Sequence, residues 1–153
     1  MSTTGNPAVG APQPQVAESL FLAEAPGTRE QAIEAGVVGS KMIASTGYPF
    51  DEQAARELAA RCYDRGYHPA GTLRQLLAIL NQADRTSDLG KLSVATLVIH
   101  GDADVLVTPS GGTATAEAVP GEDLWVVPGM GHDLPAELVA PIAERVAAHC
   151  KAA

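Results

Sequence analysis

The chain has 153 residues, 46% of them hydrophobic but only 4% aromatic, and a formal net charge of -8. That length suits one domain of ordinary size with a core built largely of small side chains. The acidic balance argues against nucleic acid and against an anionic membrane surface, both of which need clustered Lys and Arg. No apolar run reaches the ~20 residues of a membrane span, and the first residues, Met-Ser-Thr-Thr-Gly-Asn-Pro, carry neither the basic nor the apolar part of a secretory signal. A cytoplasmic location is the expectation. Cys62 and Cys150 lie far apart and are expected to be buried, reduced thiols on apolar helix faces.

Residues 1–12 read as a strand remnant (1–4) followed by a Gly/Pro-rich loop. From Pro14 to about Arg85 the chain carries only helical signals. A short helix over 15–23 is closed by Pro26-Gly27. Thr28 with Gln31 forms a capping-box pair for a second helix, expected to reach about Ser45 and made uncertain in its middle by Gly36 and Gly39. Gly47-Tyr48-Pro49 breaks the chain. Asp51 caps a third helix whose stripe is Ala55, Leu58, Ala59 and Cys62, the 3.6-residue spacing of a half-buried helix. Gly66 is placed to end it in the left-handed conformation. Pro69 opens a fourth helix with Leu73, Leu76, Leu77 and Leu80 on one side.

The composition changes at Leu89. The run over 92–99 suits a strand covered on both faces, as in a parallel sheet. A helix follows around 112–118, then a second apolar run at 124–127, then an amphipathic helix from Pro135 with Leu138, Val139, Ile142 and Val146 on one side. The fold class is α/β: a helical region followed by β-α-β-α with parallel strands joined by a crossover.

Two stretches carry the chemistry. The first, Leu97-Val-Ile-His-Gly-Asp-Ala-Asp-Val-Leu-Val-Thr-Pro109, delivers Asp102 and Asp104 just past a strand. The second, Leu124-Trp-Val-Val-Pro-Gly-Met-Gly-His-Asp-Leu-Pro135, delivers His132 and Asp133 in the same way. Parallel neighbours place their C-terminal ends on one edge, so the loops that leave them meet, and ligands bind there. A carboxylate that fixes an imidazole's tautomer, and an imidazole that takes a proton, are the acid and base of acyl transfer. Asp133 cannot easily turn back onto its neighbour's ring. His100 reads as a packed, hydrogen-bonded strand residue, His68 as a solvent-facing loop residue, and His149 as a helix-dipole partner. The spacing of His100, Asp102 and Asp104 does not make a metal site, because Gly101 ends the strand. A hydroxyl nucleophile on a G-x-S-x-G turn would complete the set, but no serine of the chain has Gly at both the second position before and the second after it.

Residues 96–109 and 127–135 resemble the acid and histidine loops of the α/β-hydrolase superfamily. Gly47-Tyr-Pro-Phe-Asp51 and Tyr63-Asp-Arg-Gly-Tyr-His-Pro-Ala-Gly71 resemble the helical cap of its bacterial esterase members, those like the aclacinomycin methylesterases. The resemblance implies that residues 13–88 are the cap, that residues 89–153 are the C-terminal part of the hydrolase core, and that Gly101-Asp-Ala-Asp104 is the G-x-x-D acid motif. It therefore selects Asp104, with His132, as the catalytic pair. It implies a serine-type hydrolase of small-molecule esters without cofactor or metal, whose nucleophile half is absent from this chain, which alone would be inactive. Two other readings are a non-catalytic interaction module, self-associating through an uncovered sheet edge, and one half of a split hydrolase.

Overall fold

The computed structural model describes residues 3–22 and 25–152. In chain order these form α1 (Pro14–Leu22), α2 (Arg29–Met42), α3 (Glu52–Arg65), α4 (Pro69–Leu80), the single turn α5 (Thr86–Leu89), β1 (Leu97–Gly101), α6 (Pro109–Ala118), β2 (Asp123–Val127) and α7 (Ala136–Ala152). Thr3 and Thr4 lie outside any strand, and Met1 and Ser2, the rest of the expected strand remnant, lie outside the described residues.

The N-terminus of α2 is a complete capping box. The Thr28 side chain accepts from Gln31 N–H, and the Gln31 side chain accepts from Thr28 N–H. That satisfies donors a helix start otherwise leaves orphaned. The helix runs through Gly36 and Gly39 without a break but stops at Met42, short of the expected Ser45. Gly36 serves packing: a Cβ there would sit 2.9 Å from Ala59 Cβ, so its absence lets α3 lie directly on α2. Asp51 caps α3 by accepting from Ala54 N–H at 2.9 Å. The two helices run antiparallel, tied at one end by Arg29 to Asp64 and nearer the middle by Arg56 to Glu34, both at 2.8 Å. Such exposed, solvent-screened pairs add little to stability.

Several expectations change at this level. Gly66 ends α3 with φ 153° and ψ 114°, a positive-φ conformation open to glycine but outside the left-handed helical region. Cys62 and Cys150 are unpaired as expected but exposed rather than buried; α2 meets the α3 stripe at Ala59 and leaves Cys62 open. The stripe of α4 is open too, with Leu73, Leu77 and Leu80 about half exposed or more.

β1 and β2 are parallel and in register from Leu97 opposite Asp123 to Gly101 opposite Val127. β1 is shorter than the apolar run suggests. Val94 is 64% exposed and precedes it. β2 is not covered on both faces along its length: Val126 is exposed, and the described sheet has two strands with α6 packed on it. The core there is Val127, Met130 and Leu138, with Tyr48, Ile99, Trp125 and Ile142 packed around it. In α7 Leu138 is buried, while Val139 and Val146 face outward.

Candidate active site

Because the strands end in register at Gly101 and Val127, the acid loop and the histidine loop leave the sheet side by side. They are then laced together. Asp102 N–H donates to Val127 O at 3.2 Å and Ala103 N–H to Met130 O at 3.0 Å, while Gly129 N–H donates to the Asp102 carboxylate at 2.6 Å. Asp102 thus takes its backbone donor from the opposite loop. The approach is close enough to require glycine at 101, where a Cβ would lie 2.0 Å from Met130 O.

Asp104 is 2% exposed. One carboxylate oxygen, Oδ1, accepts from Leu106 N–H and Val107 N–H, each at 2.9 Å, which folds the chain around it. The other, Oδ2, accepts from His132 Nδ1 at 2.8 Å. Burial pushes this carboxyl up, but the hydrogen bond from His132 and those from the backbone N–H groups of Val107 and Leu106 outweigh it and hold the group below its ordinary value. The carboxylate is therefore ionised at neutral pH, and it fixes the proton of His132 on Nδ1. That leaves Nε2 of His132 as a lone-pair acceptor, without a hydrogen-bond partner among the described residues. An imidazole oriented this way, on a ring partly open to solvent, can take a proton from a hydroxyl or a water and return it to a leaving group.

His100 lies under this pair, 1% exposed. Its Nε2–H donates to Val107 O at 2.8 Å, and the same nitrogen lies 3.6 Å from Asp104 Oδ2. The packed, hydrogen-bonded reading of His100 agrees with this. Its role is to hold the loop that wraps the acid. Nδ1 of His100 is buried without a partner among the described residues, and the ring lies against Gly112, where a Cβ would come within 2.5 Å of that atom. The N-terminal segment braces the acid loop from outside: Gln13 N–H donates to Val105 O at 2.9 Å, and Thr108 Oγ1 donates to Ala11 O at 2.9 Å.

Asp133 stands away from the Asp104–His132 bond. Its carboxylate takes both the N–H and the hydroxyl of Ser45, at 2.9 and 2.5 Å. Sequence reasoning missed Ser45, which follows the end of α2 and carries no motif; 88 residues separate the partners, and no periodicity relates them. His68 is exposed, and His149 lies in the last turn of α7. Among the described residues no group of three or more His, Cys, Asp or Glu side chains is arranged to hold a metal ion.

No family model matches the sequence. The chain is 29% identical over 159 residues to the rhodomycin D methylesterase DauP of Streptomyces sp. (strain C5), covering 97% of this chain and 51% of that protein. It is 28% identical over 132 residues to the rhodomycin D methylesterase DnrP of Streptomyces peucetius, covering 82% and 42%. Among solved structures, Est816, an N-acyl homoserine lactone degrading enzyme, superimposes with a TM-score of 0.66 at 16% identity over 96% of this chain and 54% of its own. The meta-cleavage product hydrolase of Pseudomonas fluorescens IP01 gives 0.63 at 18% over 94% and 53%.

The fold is that of an α/β-hydrolase.

The chain spans about half the length of the curated relatives it matches. Its described elements, a small parallel sheet after a helical region, correspond to the C-terminal portion of that fold. No described helix is long and apolar enough to cross a membrane.

Proposed function

We propose that this chain carries the acid and the base of a serine-type α/β-hydrolase that cleaves carboxylic esters of small molecules. Asp104 is the acid and His132 the base. The nucleophile and the oxyanion donors come from polypeptide outside these 153 residues, and residues 13–88 act as the cap over the substrate. The observation that carries this reading is the 2.8 Å bond between His132 Nδ1 and an Asp104 carboxylate held by two further backbone donors. It supplies the ring orientation and tautomer that a hydroxyl nucleophile requires. The methylesterase relatives support the ester as the bond attacked and a small molecule as the substrate class.

The mechanism assigns each group one task. His132 Nε2 takes the proton of the attacking hydroxyl as its oxygen bonds to the ester carbonyl carbon. Asp104 steadies the imidazolium that forms. His132 then returns the proton to the departing alkoxide, and a second cycle with water as the attacking group frees the acid. Without the other half, His132 has only water to deprotonate, and the loss of oxyanion stabilisation alone removes about two to three orders of magnitude in rate. The isolated chain is accordingly inactive.

A second reading, a non-catalytic module that binds another polypeptide, draws on the open stripe of Leu73, Leu77 and Leu80 and on exposed Val126. One experiment separates the two. The chain is mixed with a polypeptide matching the other half of the Streptomyces methylesterases and exposed to a serine-reactive fluorophosphonate. Labelling of the added half that depends on this chain supports the hydrolase reading. Tight association with no labelling supports the module, and labelling of this chain alone contradicts both.

A further inference from the structure

We propose that Ser45 and Asp133 are positioning residues, a clamp that fastens the connector between α2 and α3 to the histidine loop and so sets where His132 stands relative to Asp104. This rests on the reading of His132 as the catalytic base.

The connector and the loop meet along a ladder of short ties. Gly47 N–H donates to Gly129 O at 2.9 Å, and His132 N–H donates to Ile43 O at 2.8 Å. Between them, the Ser45 hydroxyl accepts from Gly131 N–H at 2.8 Å and donates to Asp133 Oδ1 at 2.5 Å, while Ser45 N–H donates to that same oxygen at 2.9 Å. Ser45 is 7% exposed, so both uses of its hydroxyl are made out of water. Asp133 has no cationic partner among the described residues, and its charge is met here by hydrogen bonds, which are about twice as strong to an ionised acceptor as to a neutral one.

The surfaces are shaped for this approach. A Cβ on Gly131 would lie 2.6 Å from Ile43 O, and one on Gly47 would lie 2.8 Å from Gly129 Cα. Both are backbone contacts that cannot swing aside. Tyr48, next in the connector, packs on the core of Val127, Met130 and Leu138 and donates to Pro128 O at 3.3 Å. His132 is therefore held at its own N–H and through the side chain of the residue after it, both times by the connector. Asp104 fixes the ring but not the backbone that carries it. A misplacement of about 1 Å at such a group can cost about a hundredfold in rate, so the clamp bears directly on the imidazole's alignment.

The test follows the low-field Nδ1 proton of His132 by NMR in the chain as it stands, with exchange of backbone amides as a companion measurement. In the wild type this proton is expected to exchange together with the Ser45 and Gly131 amides, as one opening unit. Ser45→Ala keeps the backbone tie and removes the hydroxyl; it is expected to speed exchange of the Nδ1 proton by about tenfold or more, the size of losing a hydrogen bond to a charged group. Asp133→Ala is expected to do the same. Asp133→Asn, whose side-chain carbonyl still accepts both Ser45 donors, is expected to stay close to wild type. A folded Ser45→Ala protein with unchanged Nδ1 exchange overturns the clamp and leaves the Asp104–His132 pair standing. If Ser45→Ala does not fold, the wild-type amides decide: an Nδ1 proton that outlasts the Ser45 and Gly131 amides by more than about tenfold overturns the clamp. A wild type with no such low-field proton overturns the clamp and the triad reading together.

Discussion

Asp104 gives its residue-scale chemistry a pH signature. Its folded pKa lies below the ordinary value of 3.8, so the stability it contributes is complete above that value and is lost as pH falls through the folded one. Asp104→Asn should therefore lower Tm at neutral pH and flatten the further decline of Tm as the pH falls below 3.8. An acid limb as steep as wild type would contradict the ionised, bonded carboxylate. In an assembled enzyme the same substitution faces His132 with an amide, favours the wrong ring tautomer, and should reduce kcat by about four orders of magnitude. Gly112 offers a second test. Its missing Cβ makes room for the His100 ring, which would lie 2.5 Å from that atom. Gly112→Ala should cost about 1–3 kcal/mol in a urea melt, as overpacking of a closed site does.

At the scale of elements, local chemistry was legible where a single residue type has one physical use. Thr28 with Gln31, Asp51 before Ala54, and Pro69 at a helix start each do what their sequence context implies. Thr28→Ala should lower stability by about 1 kcal/mol, read as a shift of the urea midpoint; an unshifted midpoint would mean that α2 is held by α3 alone. The two strands and the loops after them were legible too, because a β-branched run ending at glycine has few alternatives. Burial was much less so. The stripes that hold Cys62 and Leu77 have the spacing of buried faces, yet the structure leaves both residues exposed. Periodicity says which residues share a side, not whether anything lies on it. The Ser45–Asp133 pair was invisible for another reason: it joins a helix end to a loop 88 residues later, through two side chains that any polar segment could carry.

For the whole molecule, the weight falls on a mismatch between pattern and cover. Leu73, Ile79 and Leu80 are each more than half exposed, as is Val94 just before β1. Exposed apolar side chains of this kind are candidates for the face that meets the polypeptide carrying the proposed nucleophile. Replacing Leu77 or Leu80 with Glu should weaken assembly with that polypeptide by about tenfold or more for each buried side chain lost, as measured by sedimentation, while leaving the fold of the chain intact; unchanged assembly would place the contact elsewhere. The central claim, that Asp104 and His132 form the acid–base half of an esterase, is tested most directly in the assembled pair of polypeptides. Hydrolysis of a p-nitrophenyl ester is compared for wild type and His132→Ala at equal extents of assembly. The account expects the wild-type assembly to be active and His132→Ala to lose about three orders of magnitude or more in kcat. An assembly that hydrolyses the ester equally well without His132 would contradict it.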